Sequence, residues 1–208
     1  MLNLVYKDFL VHRNVIPAYL VVTALFATQV IAVDGPIAIV AMLAIMFTFA
    51  TAVQDERSNS HLLLNSLPVT RQEIVTAKYV FHLAASLFFV GISVLYWALA
   101  GDLSPQAALS QLLIAMGVIV WYMAVFFPLY YWLGPRFVQL GMFILFIIFV
   151  AIVPPAYNLA VKHQFWGILD VIRSVPAAQL NLLLTVVTFA ALLASWRTAV
   201  WMYGRKEF

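Results

Sequence analysis

Clustered histidine, serine or carboxylate side chains are what chemistry on this chain would need, and with no cysteine, disulfides and thiolate metal sites are excluded. His12, His61, His82 and His163 stand singly in different segments, without the HExxH-type spacing that puts two imidazoles on one helix face. Each is therefore read as an interfacial or hydrogen-bonded histidine, and no metal site is expected. The sequence holds no GxxxxGK[ST] phosphate loop and no GxSxG elbow. Nucleotide hydrolysis and acyl transfer thus lack their residues, and no cofactor is expected on this chain. No acidic residue falls near the middle of an apolar segment, which disfavours transport driven by an ion gradient.

Polar chemistry is instead concentrated in one stretch, Asp55 to Lys78, with Asp55, Glu56, Arg57, Arg71, Glu73 and Lys78. Its second half spells a helix start. Thr70 is an N-cap, Glu73 three residues later completes a capping box, and Val69 with Ile74 has the spacing of a hydrophobic staple, just after Pro68. Between the charged start and the cap lie Leu62, Leu63, Leu64 and Leu67. An apolar cluster in a polar loop must be covered by headgroups, by neighbouring helices or by another protein. The built-in cap favours a loop that holds its shape to dock a partner, over one that dips into the membrane interface.

The elements that position this loop are apolar. Hydrophobic residues form 65% of the 208, charged residues 9%, against roughly 25% in soluble domains. The fold class expected is all-α, a polytopic membrane protein in one transmembrane domain over residues 1–208. Six segments approach the roughly 20 apolar residues that cross a bilayer: Val15–Val33, Ile37–Val53, Ala77–Ala100, Ala107–Leu133, Phe137–Val153 and Leu182–Tyr203. Asp34-Gly35-Pro36, Gly101-Asp102-Leu103, Gly134-Pro135-Arg136 and Pro154-Pro155 separate them, and Ser104-Pro105 reads as N-cap and first helical position. The third helix is expected to start at Thr70, so that its roughly 30 residues, about 45 Å, project beyond the bilayer.

Lys and Arg placement orients the chain. With both termini in the cytoplasm, eight of the 11 lie inside: Lys7, Arg13, Arg57, Arg71, Lys78, Arg136, Arg205 and Lys206. Arg197 lies in the last span toward that side, and only Lys162 and Arg173 fall outside. No cleavable leader is expected at the N-terminus, and the scattered basic residues give no support to nucleic-acid binding. The expected location is the plasma (inner) membrane, in contact with its lipids.

Three further regions stand out. Residues 1–13 place Leu2, Val5, Phe9 and Leu10 near one face, the pattern of an interfacial helix or of a charged lead-in to the first span. Residues 156–181 carry an apolar stripe and are expected to form an outer loop or re-entrant element. Pro128 is expected to kink the fourth span. Trp97, Trp132, Trp201 and Tyr203 sit near span ends as anchors, whereas Trp121 and Tyr122 fall mid-span. Gln29, Trp121 and Tyr122 are the candidates for a substrate path or a dimer face. The Ser and Thr residues at depth are read as bonding their own helices or neighbouring ones.

At the polar loop the chain resembles the small membrane subunits of type-2 ATP-binding-cassette (ABC) exporters. The matching residues are Asp55, Glu56, Arg57, Leu63, Leu67, Pro68, Val69, Thr70, Arg71, Glu73, Ile74, Val75, Lys78 and Tyr79, and the ending Tyr203-Gly204-Arg205-Lys206-Glu207-Phe208 is similar to the family's tail. The chain departs from the family where Ser58-Asn59-Ser60 replaces a common glycine. The resemblance implies six spans, an N-terminal interfacial helix and a cytoplasmic coupling helix within residues 54–76. It also implies that a separate ABC ATPase subunit, in two copies with ATP-Mg, docks on Asp55, Glu56, Arg57, Leu62, Leu63, Leu64, Leu67 and Pro68. Val69, Thr70, Glu73 and Ile74 would be the cap of a lever. A second copy of the permease, or a related one, would complete the exporter, and an amphipathic cargo, with peptide preferred, would move outward. The competing reading is a standalone membrane binding or immunity protein that senses or sequesters a peptide without ATP.

Overall fold

The computed structural model describes residues 2–28, 30, 36–57, 69–101, 104–134 and 177–205. Among them are six helices and no strand: α1 (Leu2–Val11), α2 (Val15–Ala27), α3 (Pro36–Arg57), α4 (Arg71–Ala100), α5 (Pro105–Leu133) and α6 (Ala177–Gly204). Four of these, α3 to α6, are long and apolar enough to cross a membrane, and α1 with α2 makes a fifth if that pair, bent by 72°, counts as one span. The expected fifth span at 137–153 and nearly all of the outer segment at 156–181 lie outside the described residues.

Local chemistry sets the ends of the long helices. Gly101 stops α4 in the left-handed region (φ 84°), its N–H returning to the Trp97 carbonyl. Ser104 then caps α5, accepting from the Ala107 N–H at 3.3 Å, with Pro105 in the first turn. Through Pro128 the helix assignment of α5 continues unbroken to Leu133. One boundary differs from the sequence reading. α3 runs through Arg57, so Asp55-Glu56-Arg57 forms its last turn and not the start of a loop. Asp55 is only 5% exposed, and its inward pairing, described below, gives the helix a reason to continue.

α4 is the axis of the bundle: it packs against each of the other five described helices. Its buried positions recur at helical spacing, through Val75, Tyr79, His82, Ser86, Phe89, Ser93 and Trp97. Facing it, α3 contributes Ala44, Phe47, Thr48, Thr51 and Ala52. Small side chains there let the helix backbones approach closely, as membrane interfaces require in the absence of a hydrophobic drive between helices. Thr48, Thr51 and Ser93 return their hydroxyls to carbonyls three or four residues back on their own helices, so they reach the apolar interior already satisfied. Rings fill the remaining space. Phe47 meets Phe89 edge-on at 5.2 Å, and Tyr79 lies 4.5 Å from Phe127.

Two aromatics read as surface anchors are interior. Trp97 is 3% exposed and donates its indole N–H to the Ala27 carbonyl at 2.7 Å, tying the end of α2 to α4. That carbonyl belongs to the last turn of α2, which has no helical partner for it. Tyr203 is buried beside Tyr131, while Trp132 and Trp201 remain exposed.

Candidate functional site

The first three turns of α4 are fastened on several sides. Thr70 is extended (φ −76°, ψ 147°), its Oγ1 accepts the Glu73 N–H at 3.2 Å, and Glu73 Oε2 accepts the Thr70 N–H at 2.9 Å. The reciprocal capping box is therefore complete. Ile74 is buried, and Val69 packs half-buried against the same core. One residue into the helix, Arg71 donates to the carbonyls of Tyr203 and Gly204 at 3.0 and 2.9 Å. A cation at the C-terminal end of a helix satisfies orphan carbonyls and complements the helix dipole. Deeper along the same face the Trp196 indole donates to Thr76 Oγ1 at 3.0 Å, and Tyr79 Oη lies 2.7 Å from Ser195 Oγ. These contacts bind α4 to α6.

On its other side α4 presents Lys78 to a buried charge cluster. The Lys78 ammonium donates to Asp8 Oδ1 of α1 at 3.2 Å and to Asp55 of α3. Lys7 also reaches Asp8, at 2.8 Å. His12 Nε2 lies 3.6 Å from Asp55 Oδ1, and His12 Nδ1 lies 3.4 Å from Gln54 Oε1. Asp8, His12 and Asp55 are all buried, so the cluster is desolvated. Among the described residues its two carboxylates meet two ammonium groups. One turn further, His82 Nδ1 lies 2.7 Å from the Lys78 carbonyl, which can only accept, so that nitrogen carries a proton. His82 Nε2 sits 2.9 Å from Thr51 Oγ1. A continuous polar path thus runs from α1 through α3 into α4.

The arrangement holds helices in register, and among the described residues no group of three His, Asp or Glu side chains could hold a metal ion. A buried cluster of ion pairs of this kind adds little net stability, but loss of one partner strands the other charges without water. Its physical effect is to make α1, α3 and the start of α4 move together.

The candidate residues from sequence are dispersed. Asp55 is buried against Lys78 and His12. Glu56 and Arg57 close α3. Leu62, Leu63, Leu64, Leu67, Pro68 and Gln29 lie outside the described residues, as do His61 and His163. Val69, Thr70, Glu73 and Ile74 come together at the cap. Trp121 is 48% exposed on α5, whereas Tyr122 stacks on Phe126 at 5.4 Å, so these neighbours point to different surroundings. Burial along α1 and the turn after it falls on residues other than the apolar ones noted from sequence. Leu4, Asp8 and His12 form its buried stripe, and Phe9 and Leu10 are exposed.

Asp8, His12, Lys78 and His82 were not singled out as site residues by sequence reasoning. A signal was nevertheless present, since Asp8/His12, Thr51/Asp55 and Lys78/His82 are three polar pairs at i,i+4 spacing in apolar helices. What the spacing lacked was the knowledge that the three helix faces meet.

An all-helical bundle with several membrane-crossing helices, organised around one long capped helix, defines a polytopic membrane protein. A family model described as ABC-2 family transporter protein matches residues 3–204, and the chain belongs to that family. It is accordingly a permease subunit of the ABC transporter class, whose families generally work with an ATPase partner. Neither the curated proteins nor the solved structures return a match to the chain.

Proposed function

We propose that the chain is the membrane subunit of an ABC exporter in which a separate ATPase docks on the loop between α3 and α4 and drives α4 as a lever. The supporting observation is the fastening of the α4 start: a complete capping box at Thr70 and Glu73, with Arg71 bound to the end of α6 and Lys78 bound to α1 and α3. A push delivered just before Thr70 would therefore tilt packed helices as a unit, since packed cores change arrangement by discrete shifts and not by gradual deformation. In this reading both termini face the cytoplasm of the plasma membrane. Two ATPase subunits with ATP-Mg serve two permeases, identical or related, and an amphipathic cargo, with peptide preferred, moves outward. Docking is assigned to Glu56, Arg57 and the leucines at 62–64 and 67. Asp55 is assigned to holding the helix beneath them.

The test is co-purification in detergent with an ABC ATPase subunit from the same genome, comparing wild type with Leu63→Asp plus Glu56→Arg. A complex that forms with the wild type and is lost in the double variant is expected. A well-folded wild type that binds no ATPase would sink the proposal in favour of a standalone binding protein.

A further inference from the structure

Arg197 is the only charged residue in the 28 positions of α6. Its side chain is exposed, and among the described residues no carboxylate pairs with it. It lies seven residues before Gly204, about 10 Å along the axis at 1.5 Å per residue. The helix end here is the polar end of the bundle, where Arg71 binds the Tyr203 and Gly204 carbonyls. A guanidinium on the outer face of a spanning helix is costly unless it snorkels to the interface or finds an anion.

The surroundings of Arg197 are shaped. A groove of about 430 Å³ is lined by Gln72 of α4 and by Trp196, Arg197, Thr198, Val200 and Trp201 of α6. Trp196 is fixed as its wall by the bond to Thr76, whose hydroxyl in turn donates to the Gln72 carbonyl at 2.6 Å. The Arg205 guanidinium sits 3.9 Å over the ring of Trp201, which lines the groove, and so brings a second cation beside it. The site thus combines two cations, amide and hydroxyl groups, and two indoles of the kind that settle at headgroup level. We propose that this groove binds the headgroup of an anionic phospholipid, its phosphate on Arg197 and its glycerol region against Trp196 and Trp201. Charge complementarity selects the lipid: a zwitterionic headgroup brings its own ammonium, whereas an anionic one leaves its charge to the protein, and basic pockets at helix ends recognise such headgroups. The inference rests on the membrane location of α6 and not on ATPase docking.

The absence of cysteine permits a site-specific test. A fluorophore on Thr198→Cys, in the groove, is compared with one on Trp132→Cys, which is 65% exposed on α5 near the same end. Both proteins are placed in nanodiscs of phosphatidylglycerol and phosphatidylcholine in equal amounts, with either lipid brominated as quencher. We expect brominated phosphatidylglycerol to quench the groove label about fivefold more effectively than brominated phosphatidylcholine, the discrimination that one basic residue near a surface supplies. The Trp132 position should show little preference. Adding Arg197→Gln should abolish the preference, and Arg197→Lys should keep most of it. Equal quenching by the two lipids at Thr198, or the same preference at both labels, overturns the proposal even if Arg197→Gln does not assemble. A preference unchanged by Arg197→Gln overturns it as well.

Discussion

Lys78 is the residue on which the interior charges balance. It bridges Asp8, 70 positions earlier, and Asp55, 23 positions earlier. Replacing it with methionine would take from Asp8 and Asp55 the ammonium they share, and breaking a buried pair in this way costs about 3–5 kcal/mol. We expect Lys78→Met to lower the thermal unfolding temperature in detergent severely. The triple variant Asp8→Asn, Asp55→Asn, Lys78→Met should recover much of that loss, because the buried charges go together and the remaining Lys7 is partly exposed and reaches water. A Lys78→Met protein as stable as wild type would show that the cluster is hydrated or rearranged. This pairing was the part of the site least legible in the sequence. A lysine eight residues inside a capped helix reads as an ordinary inner-side charge, and its partners are set only by which helices pack together.

At the scale of the element, α4 was the most legible feature of the chain. Thr70, Glu73 and Gly101 act through contacts within a few residues, so their chemistry specifies both ends of a 30-residue helix without reference to the fold. The end of α3 was less legible for the opposite reason: Asp55 looks like a loop residue until its distant partner is known. Removing half of the capping box by Glu73→Ala should weaken the start of the helix, since the Thr70 N–H loses its acceptor. In a reconstituted complex with its ATPase, this variant is expected to transport less substrate per ATP hydrolysed while ATP turnover persists. Unchanged coupling in the variant would show that the cap does not transmit the stroke.

The whole molecule offers a direct check of orientation. Gln72 and Ser104 are both exposed and lie at opposite ends of α4. In the cysteine-free chain, Ser104→Cys should react with a membrane-impermeant maleimide in intact cells. Gln72→Cys should react only after permeabilisation. The reverse pattern would invert the topology and place the loop out of reach of a cytoplasmic ATPase. Composition and Lys/Arg placement made the all-helical membrane class legible at this scale. The mutual packing did not follow from them, since a lipid-facing leucine and a helix-facing one are the same letter. Thus α5 and α6 share an extensive contact while both keep many exposed apolar side chains.

The position of the counter-ion along the chain also orders the birth of the protein. Synthesis delivers Asp8 and Asp55 before Lys78, so the cluster cannot assemble until α4 has emerged. Before then, burial of Asp55 would leave it without the Lys78 ammonium, and the seating of α1 and α3 seen here is disfavoured. The arrival of Lys78 is the event that lets all three helices close. A pause in translation after α3 has emerged and before α4 has followed it therefore prolongs the stage at which these helices cannot close on one another.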